Sequence, residues 1–259
     1  MTEINHADRT HAVLSASGAH RWLACTPSAM AEKDLPDSSS EYAKEGTAAH
    51  ELSEIYLKYE IGEIAKATRT RRINKFRENS DFYSQEMADH VESYVDIVVE
   101  KINEAKARSK DAVVLLEQRL DFSEWVPEGY GTGDVVIISD GVLEVIDLKY
   151  GKGVEVLAEG NPQLRLYGLG AYSQYDMLYD IDTVSMTIVQ PRLDNVSTET
   201  LPAEDLVKWA DEEVKPKADQ AWNGEGEFVP GDHCRFCKIR ATCRARADEN
   251  LKMAQYEFA

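Results

Sequence analysis

Asp140 and Gly141 stand between two apolar runs, TGDVVIIS and VLEVIDLKY. Asp-Gly in that setting is among the strongest short signals for a two-residue hairpin turn of type I′. With those residues as the turn, Ser139 faces Val142, Val136 faces Val145, and Asp134 comes opposite Asp147. Directly opposed residues on antiparallel strands hold their Cβ atoms about 4.5 to 5.5 Å apart, where like charges repel. Lys149 projects from the same face as Asp147, because strand side chains alternate with period two. Two arrangements satisfy these charges beside an apolar surface: a cross-strand ion-pair cluster at a solvated sheet end, or a bound divalent cation.

Around the hairpin the chain alternates in character. Ser15–Lys33 reads as two short helices broken at Thr26-Pro27, and Asp37–Glu41 as a capping turn. Glu41–Ile61 and Asp81–Arg108 carry apolar residues at helical spacing, with Val91, Tyr94, Val95, Val98 and Ile102 forming the stripe of the second. Asp111–Leu120 reads as a strand, Asn161–Tyr179 as a helix, Val184–Gln190 and Asn195–Leu201 as strands, and Pro202–Trp222 as helix. That order predicts an α/β fold with a mixed central sheet flanked by helices. We expect one domain over 1–259, with a mainly helical part (1–110), an α/β core (111–222) and a cysteine-rich tail (223–259).

Charge is unevenly placed. The net value is −18, yet Lys66–Arg77 holds six cations and no acid, and Arg235–Arg246 holds five and no acid. Each is a solvated surface or an island able to attract a polyanion to an otherwise repelling body. The candidate nucleic-acid contacts are Arg69, Arg71, Arg72, Lys75, Arg77 and Arg240. No run reaches the length of a membrane span, and MTEINHADRTHAVLS lacks the features of a leader peptide, so a cytoplasmic protein with no membrane partner is expected.

Cys234, Cys237 and Cys243 form C-x2-C-x5-C near the end of the chain; the remaining cysteine is Cys25. Four thiolates suffice for zinc or for a 4Fe-4S cluster, and His233 keeps a Cys3His zinc site open. Either metal would clasp the N-terminal helices to the tail. Two helical pairs complete the inventory. His50 and Glu54 share a helix face one turn beyond Gly46, whose cost within a helix points to close packing there. Gln163 and Tyr167 share another, just inside the entrance marked by Asn161-Pro162.

Taken in order, Gly46 with His50, Gly131 with Asp134, Asp147 with Lys149, and Gln163 with Tyr167 resemble the motif series of the RecB-like branch of the PD-(D/E)XK nucleases. Cys25 before the series and the cysteine triplet after it resemble the split iron-sulfur clasp of AddB-type nuclease domains and of the nuclease used in CRISPR adaptation. The resemblance implies a restriction-endonuclease-like core and a metal-dependent DNA nuclease, an exonuclease acting on single strands or duplex ends. It implies Asp134, Asp147 and His50 as ligands of Mg2+ or Mn2+, with Lys149 activating water and Gln163 and Tyr167 orienting the site. Cys25, Cys234, Cys237 and Cys243 would hold a 4Fe-4S cluster, with Zn2+ the alternative. Glu117, at the end of VVLLEQ, is a further carboxylate that its strand turns either toward this site or to solvent. No helicase or phosphate-loop motif accompanies the series, which fits a stand-alone phage or mobile-element version meeting a recombination or replication protein. The competing reading is a catalytically silent nuclease fold that binds DNA or protein, and RNA is an alternative substrate.

Overall fold

The computed structural model describes residues 12–36 and 40–257. The N-terminal reading up to residue 11 and the capping reading at 37–39 lie outside them. Ser40 does cap its helix, its side chain accepting from the Ala43 N–H.

Helices α1 (Ala19–Ala24) and α2 (Ser28–Glu32) are short and break at Thr26-Pro27 as expected. Three longer helices follow: α3 (Glu41–Glu60), α4 (Lys66–Asn79) and α5 (Gln85–Arg108). The basic segment is thus a helix. α5 begins four residues later than its periodicity predicted, because Ser84 accepts from the Met87 N–H and fixes the start.

Among the described residues there is one sheet, in the order β1 (Val113–Asp121), β2 (Tyr130–Ser139), β3 (Val142–Leu148), β4 (Thr183–Gln190), β5 (Asn195–Pro202). β3 and β4 are parallel and joined through α6 (Pro162–Tyr179); the other pairs are antiparallel. The fold is therefore mixed α/β with a helix-flanked central sheet. The hairpin turn has positive φ at both Asp140 (49°) and Gly141 (73°), as type I′ requires, and Ser139 faces Val142. Helices α7 (Ala203–Trp209) and α8 (Lys215–Asn223) are joined by a π-helical turn at Ala210–Val214. Pro216 accounts for the widened ladder, since its ring excludes the carbonyl four residues back. Helix α9 (Arg244–Glu257) ends the described chain. No helix among the described residues is long and apolar enough to cross a membrane.

The sheet separates two apolar cores. One lies against α6, α7 and α8 and takes Val136, Ile138, Leu143 and Val145; the other lies against α3 and α5 and takes Val135, Ile137, Ile146 and Leu148. Strict alternation would hold these assignments along the whole of β1 and β2. It does not. Val113 and Leu115 pack on the α6 side, yet so does Leu120; Val135 and Ile137 face α5, yet Gly131 lies against Tyr167 of α6. The reversal falls at Glu117 and Asp134, the one position within the β1–β2 ladder where backbone pairing is interrupted. Glu117 takes φ of 50°, a left-handed conformation uncommon for a non-glycine residue. Both strands thus turn over at the same level, and the two acidic side chains are aimed anew there.

Glycines let α6 settle on this bend. A Cβ added at Gly131 would stand 2.5 Å from Tyr167 Cε1, and one at Gly170 would stand 3.0 Å from Leu120 Cβ. Gly46, expected to serve close packing, has nothing within 4 Å of its added Cβ. Opposite outcomes follow in urea denaturation. Gly46→Ala should stabilise by about 1 kcal/mol through helix propensity, and Gly131→Ala should destabilise by roughly 1 to 3 kcal/mol through overpacking. Equal shifts for the two variants would contradict this account.

Candidate functional site

Five elements converge at the end of the sheet beyond the bend. α3 brings His50, β1 Glu117, β2 Asp134, β3 Asp147 and, one residue past its end, Lys149; α6 brings Gln163 and Tyr167. His50 Nδ1 lies 3.1 Å from Asp134 Oδ1, and ligand atoms of His50, Glu117 and Asp134 all fall within 4.8 Å of one another. The β2–β3 ladder stops at Val135–Ile146, one pair short of the aspartates. In place of a backbone pair, the Leu148 N–H donates to Asp134 Oδ2 at 2.7 Å.

Asp147 stands beside that trio. Its Oδ2 lies 2.9 Å from Lys149 Nζ, which also donates to Gln163 Oε1 at 2.9 Å. Gln163 Nε2 donates to Tyr167 Oη at 3.1 Å and reaches toward Asp147 Oδ1 at 3.5 Å. The first turn of α6 is fixed by Asn161, whose Oδ1 accepts from the N–H groups of Gln163 and Leu164. Glu54 is taken up by Lys58, 2.6 Å away.

Sequence patterns missed what holds the segment between Lys149 and Gln163. Gln190 accepts from the Val156 N–H, Ser197 from Ala158 and Glu199 from Gly160. Glu199 also pairs twice with Arg165, in the first turn of α6. Ser197 and Glu199 are two apart, so they share a face of β5. Alternation in Asn195–Leu201 announced a half-exposed strand; that its polar face would bind a loop has no local signal.

Electrostatics couple these groups. Burial favours the neutral imidazole of His50, but the carboxylates of Asp134, Asp147 and Glu117 outweigh it and raise its pKa to about 9. Burial likewise pushes the Asp134 carboxyl up; the His50 cation, the Leu148 N–H and Lys149 prevail and leave it below its ordinary value. Asp147 goes the other way, raised by burial and by Asp134 against the pull of Lys149. One imidazole and clustered carboxylates make a donor set for a hard or borderline divalent cation, with the nitrogen favouring Mn2+ over Mg2+.

Among the described residues the cysteines do not form a group whose ligand atoms all lie within 4.8 Å of one another, but Cys25 is within electrostatic reach of Cys234 and Cys243. Burial raises the Cys25 pKa, and the charges of Cys234 and Cys243 add to the rise, against the backbone of Val229 and Ser28. The Cys237 thiol is pushed up to about 11 by burial and by buried Glu32, against an N–H bond from Ile239. His233 has its Nε2 2.8 Å from the Val229 carbonyl. Polar bonds fasten the same region. Glu32 pairs with Arg21 at 2.8 Å and accepts from the Lys238 N–H, and Thr26 donates to the Glu225 carbonyl at 2.7 Å.

Of the basic candidates, Arg69 lies over the rings of Tyr56 and Tyr59 and Arg77 over Tyr83, while Arg71 and Lys75 are exposed and Arg72 is half-buried. Arg240 donates to the Arg235 carbonyl within the cysteine-bearing turn.

A family model described as "Protein of unknown function (DUF2800)" matches residues 11–259. Among solved structures, the chain is similar to a "Putative exonuclease" from Eubacterium rectale, at TM-score 0.46 and 13% identity over 94% of both chains. It is also similar to the protein SSO0001, at TM-score 0.29 and 14% identity over 75% of this chain and 95% of that one.

Two outcomes test the geometry. His50 in the metal-free protein has a pKa above its unfolded value, so its stabilising contribution is complete below about pH 6.5 and is lost as pH rises toward about 9. An ion bound by His50 displaces that proton, so Mn2+ affinity should rise over the same interval. Titration calorimetry at pH 7.5 in buffers of different ionisation heat should find about one proton released per ion; no release would exclude His50 as a ligand. Glu117→Gly relieves a left-handed backbone that costs on the order of 1 kcal/mol. It should leave the metal-free melting temperature unchanged or higher and weaken Mn2+ binding, whereas a large loss of stability would show that Glu117 serves the fold.

Proposed function

We propose that the chain, which belongs to the DUF2800 family of proteins of unknown function, is a divalent-metal-dependent nuclease. The observation that carries this reading is the union, at one end of a sheet, of the ligand trio His50, Glu117 and Asp134 with Lys149 held between Asp147 and Gln163. His50, Glu117, Asp134 and Asp147 would hold Mg2+ or Mn2+. When bound, such an ion lowers the pKa of water and offsets charge on a phosphate oxygen.

The chain's own residues divide the remaining work. An ammonium group has three donors; Lys149 gives one to Gln163, pairs by charge with Asp147, and keeps a donor for the attacking water or a non-bridging phosphate oxygen. Asp147 holds the Lys149 head in place. Gln163 fixes that head from the other side, and Tyr167, behind it, sets the amide orientation through its hydroxyl. Hydrolysis joins a water oxygen to phosphorus and breaks the bond to the leaving oxygen, which takes up a proton. The resemblance to RecB-like nucleases favours DNA as substrate and an exonuclease over an endonuclease. The exposed Arg71, Lys75 and Arg77 on α4 offer phosphate contacts on a protein whose net charge of −18 repels nucleic acid elsewhere.

In the same reading Cys25, Cys234, Cys237 and Cys243 hold a 4Fe-4S cluster that ties α1 and α2 to the tail. Supporting it is the electrostatic reach between Cys25 and the pair Cys234 and Cys243, which joins α1 and α2 to the tail.

Protein purified without oxygen should be brown, with about four iron atoms per chain, and Cys25→Ser should lose the colour; a colourless zinc protein would refute the cluster. With Mn2+ and end-labelled linear DNA, Lys149→Ala should cleave at least about 100-fold more slowly than wild type, while keeping its colour. Equal cleavage by the two would sink the assignment of Lys149, and no cleavage by either would favour the binding-module reading.

A further inference from the structure

The stripe of α5 contains one polar atom that packing does not explain. Tyr94 is fully buried, among aliphatic neighbours of the core between α3 and α5. Its hydroxyl makes no hydrogen bond among the described residues. A buried phenol normally finds a partner, because its hydroxyl loses water on folding and gains nothing in return.

Three carboxylates lie within electrostatic reach of that hydroxyl: Asp134, Asp147 and Glu117. They are the acids of the candidate metal site, and Asp134 is committed elsewhere in the metal-free chain. Asp134 Oδ1 is taken by His50 and Oδ2 by the Leu148 N–H. Asp147 Oδ1 is approached by Gln163, while its Oδ2, 2.9 Å from the Lys149 ammonium, is buried without a hydrogen-bond partner among the described residues. Val135, Ile146 and Leu148, the chain neighbours of Asp134 and Asp147, lie in the same core as Tyr94.

We propose that Tyr94 is a positioning residue of the metal centre, its hydroxyl serving as the hydrogen-bond donor that orients the carboxylate ligands when the ion is bound. The inference rests on the metal-site reading given above. Partners of this kind hold ligands in their coordinating orientation, and losing one typically lowers metal affinity 10- to 100-fold. Its cost in the metal-free protein is an unsatisfied buried hydroxyl, a feature with no benefit to the fold alone.

The test uses the full chain, purified anaerobically with its cysteine site intact, as wild type, Tyr94→Phe and Asp134→Asn. Phenylalanine keeps the ring and its packing. Mn2+ binding is read from the paramagnetic resonance of the free ion, and metal-free melting is followed in parallel. The expected result is Mn2+ binding by wild type, little or none by Asp134→Asn, and a dissociation constant raised about tenfold or more in Tyr94→Phe. The metal-free Tyr94→Phe protein should melt at the wild-type temperature or above it. Equal Mn2+ affinity of wild type and Tyr94→Phe would overturn the inference and leave the metal site standing. A lower metal-free melting temperature for Tyr94→Phe would assign the hydroxyl to the fold and overturn it too. If wild type binds no Mn2+, the metal-site reading fails, and this inference fails with it.

Discussion

Mutual repulsion among Glu117, Asp134 and Asp147 is the constraint around which this end of the molecule is arranged. Carboxylates about 5 Å apart repel by roughly 3 kcal/mol per pair at an effective dielectric constant near 20, and burial adds to the cost of their charge. His50 and Lys149 are the cations set against them, and both are tied to a single aspartate: His50 to Asp134, Lys149 to Asp147. The opposite shifts of the two aspartates follow from that division. Asp134 gains the imidazolium and a backbone N–H; Asp147 keeps one ammonium and meets its neighbour's charge.

Gathering those acids demands a departure from regular sheet. A straight β1–β2 ladder would place Glu117 and Asp134 by the same alternation that sorts Val113, Leu115, Val136 and Ile138. The interruption at one level of both strands frees both side chains from that rule at the cost of a left-handed residue. Glycines at 131, 133 and 170 then let Tyr167 and Leu120 fill the space below the bend, which carries α6 and Gln163 close to Lys149. The loop before α6 is pinned by Gln190, Ser197 and Glu199, so the helix start that presents Gln163 is fixed from the far edge of the sheet. Local strain and long-range polar contacts serve one arrangement of charges.

Much of this could be read from the sequence because its signals are local. The Asp140-Gly141 turn sets the hairpin register, Asn161-Pro162 marks the entrance of α6, and spacings of four put Gln163 above Tyr167. The two arms of the hairpin, the five strands and helices α1–α3 and α5–α8 follow from period and punctuation, whereas α4 and α9 carry no clear apolar stripe. What escaped has no local signature. Nothing in VVLLEQ announces a left-handed Glu117, so its direction stayed open until the bend was seen. Tyr94 fits the apolar stripe of α5, and periodicity reports which face is buried, not what a hydroxyl on that face meets. Gly46 misled in the opposite sense, a helical glycine with open space around it. The basic segment Lys66–Arg77 gave its charge but not its use, as Arg69 and Arg77 rest on tyrosine rings.

Whether the charges at the sheet end are arranged for an ion or only balanced against each other is decided by anomalous diffraction from crystals grown with Mn2+. An ion site gives a single strong peak bounded by His50, Glu117 and Asp134, with Asp147 beside it and Lys149 still on Gln163. Crystals with no peak there at saturating Mn2+, and with His50 still hydrogen-bonded to Asp134, would contradict an ion site and return the cluster to a network of ion pairs.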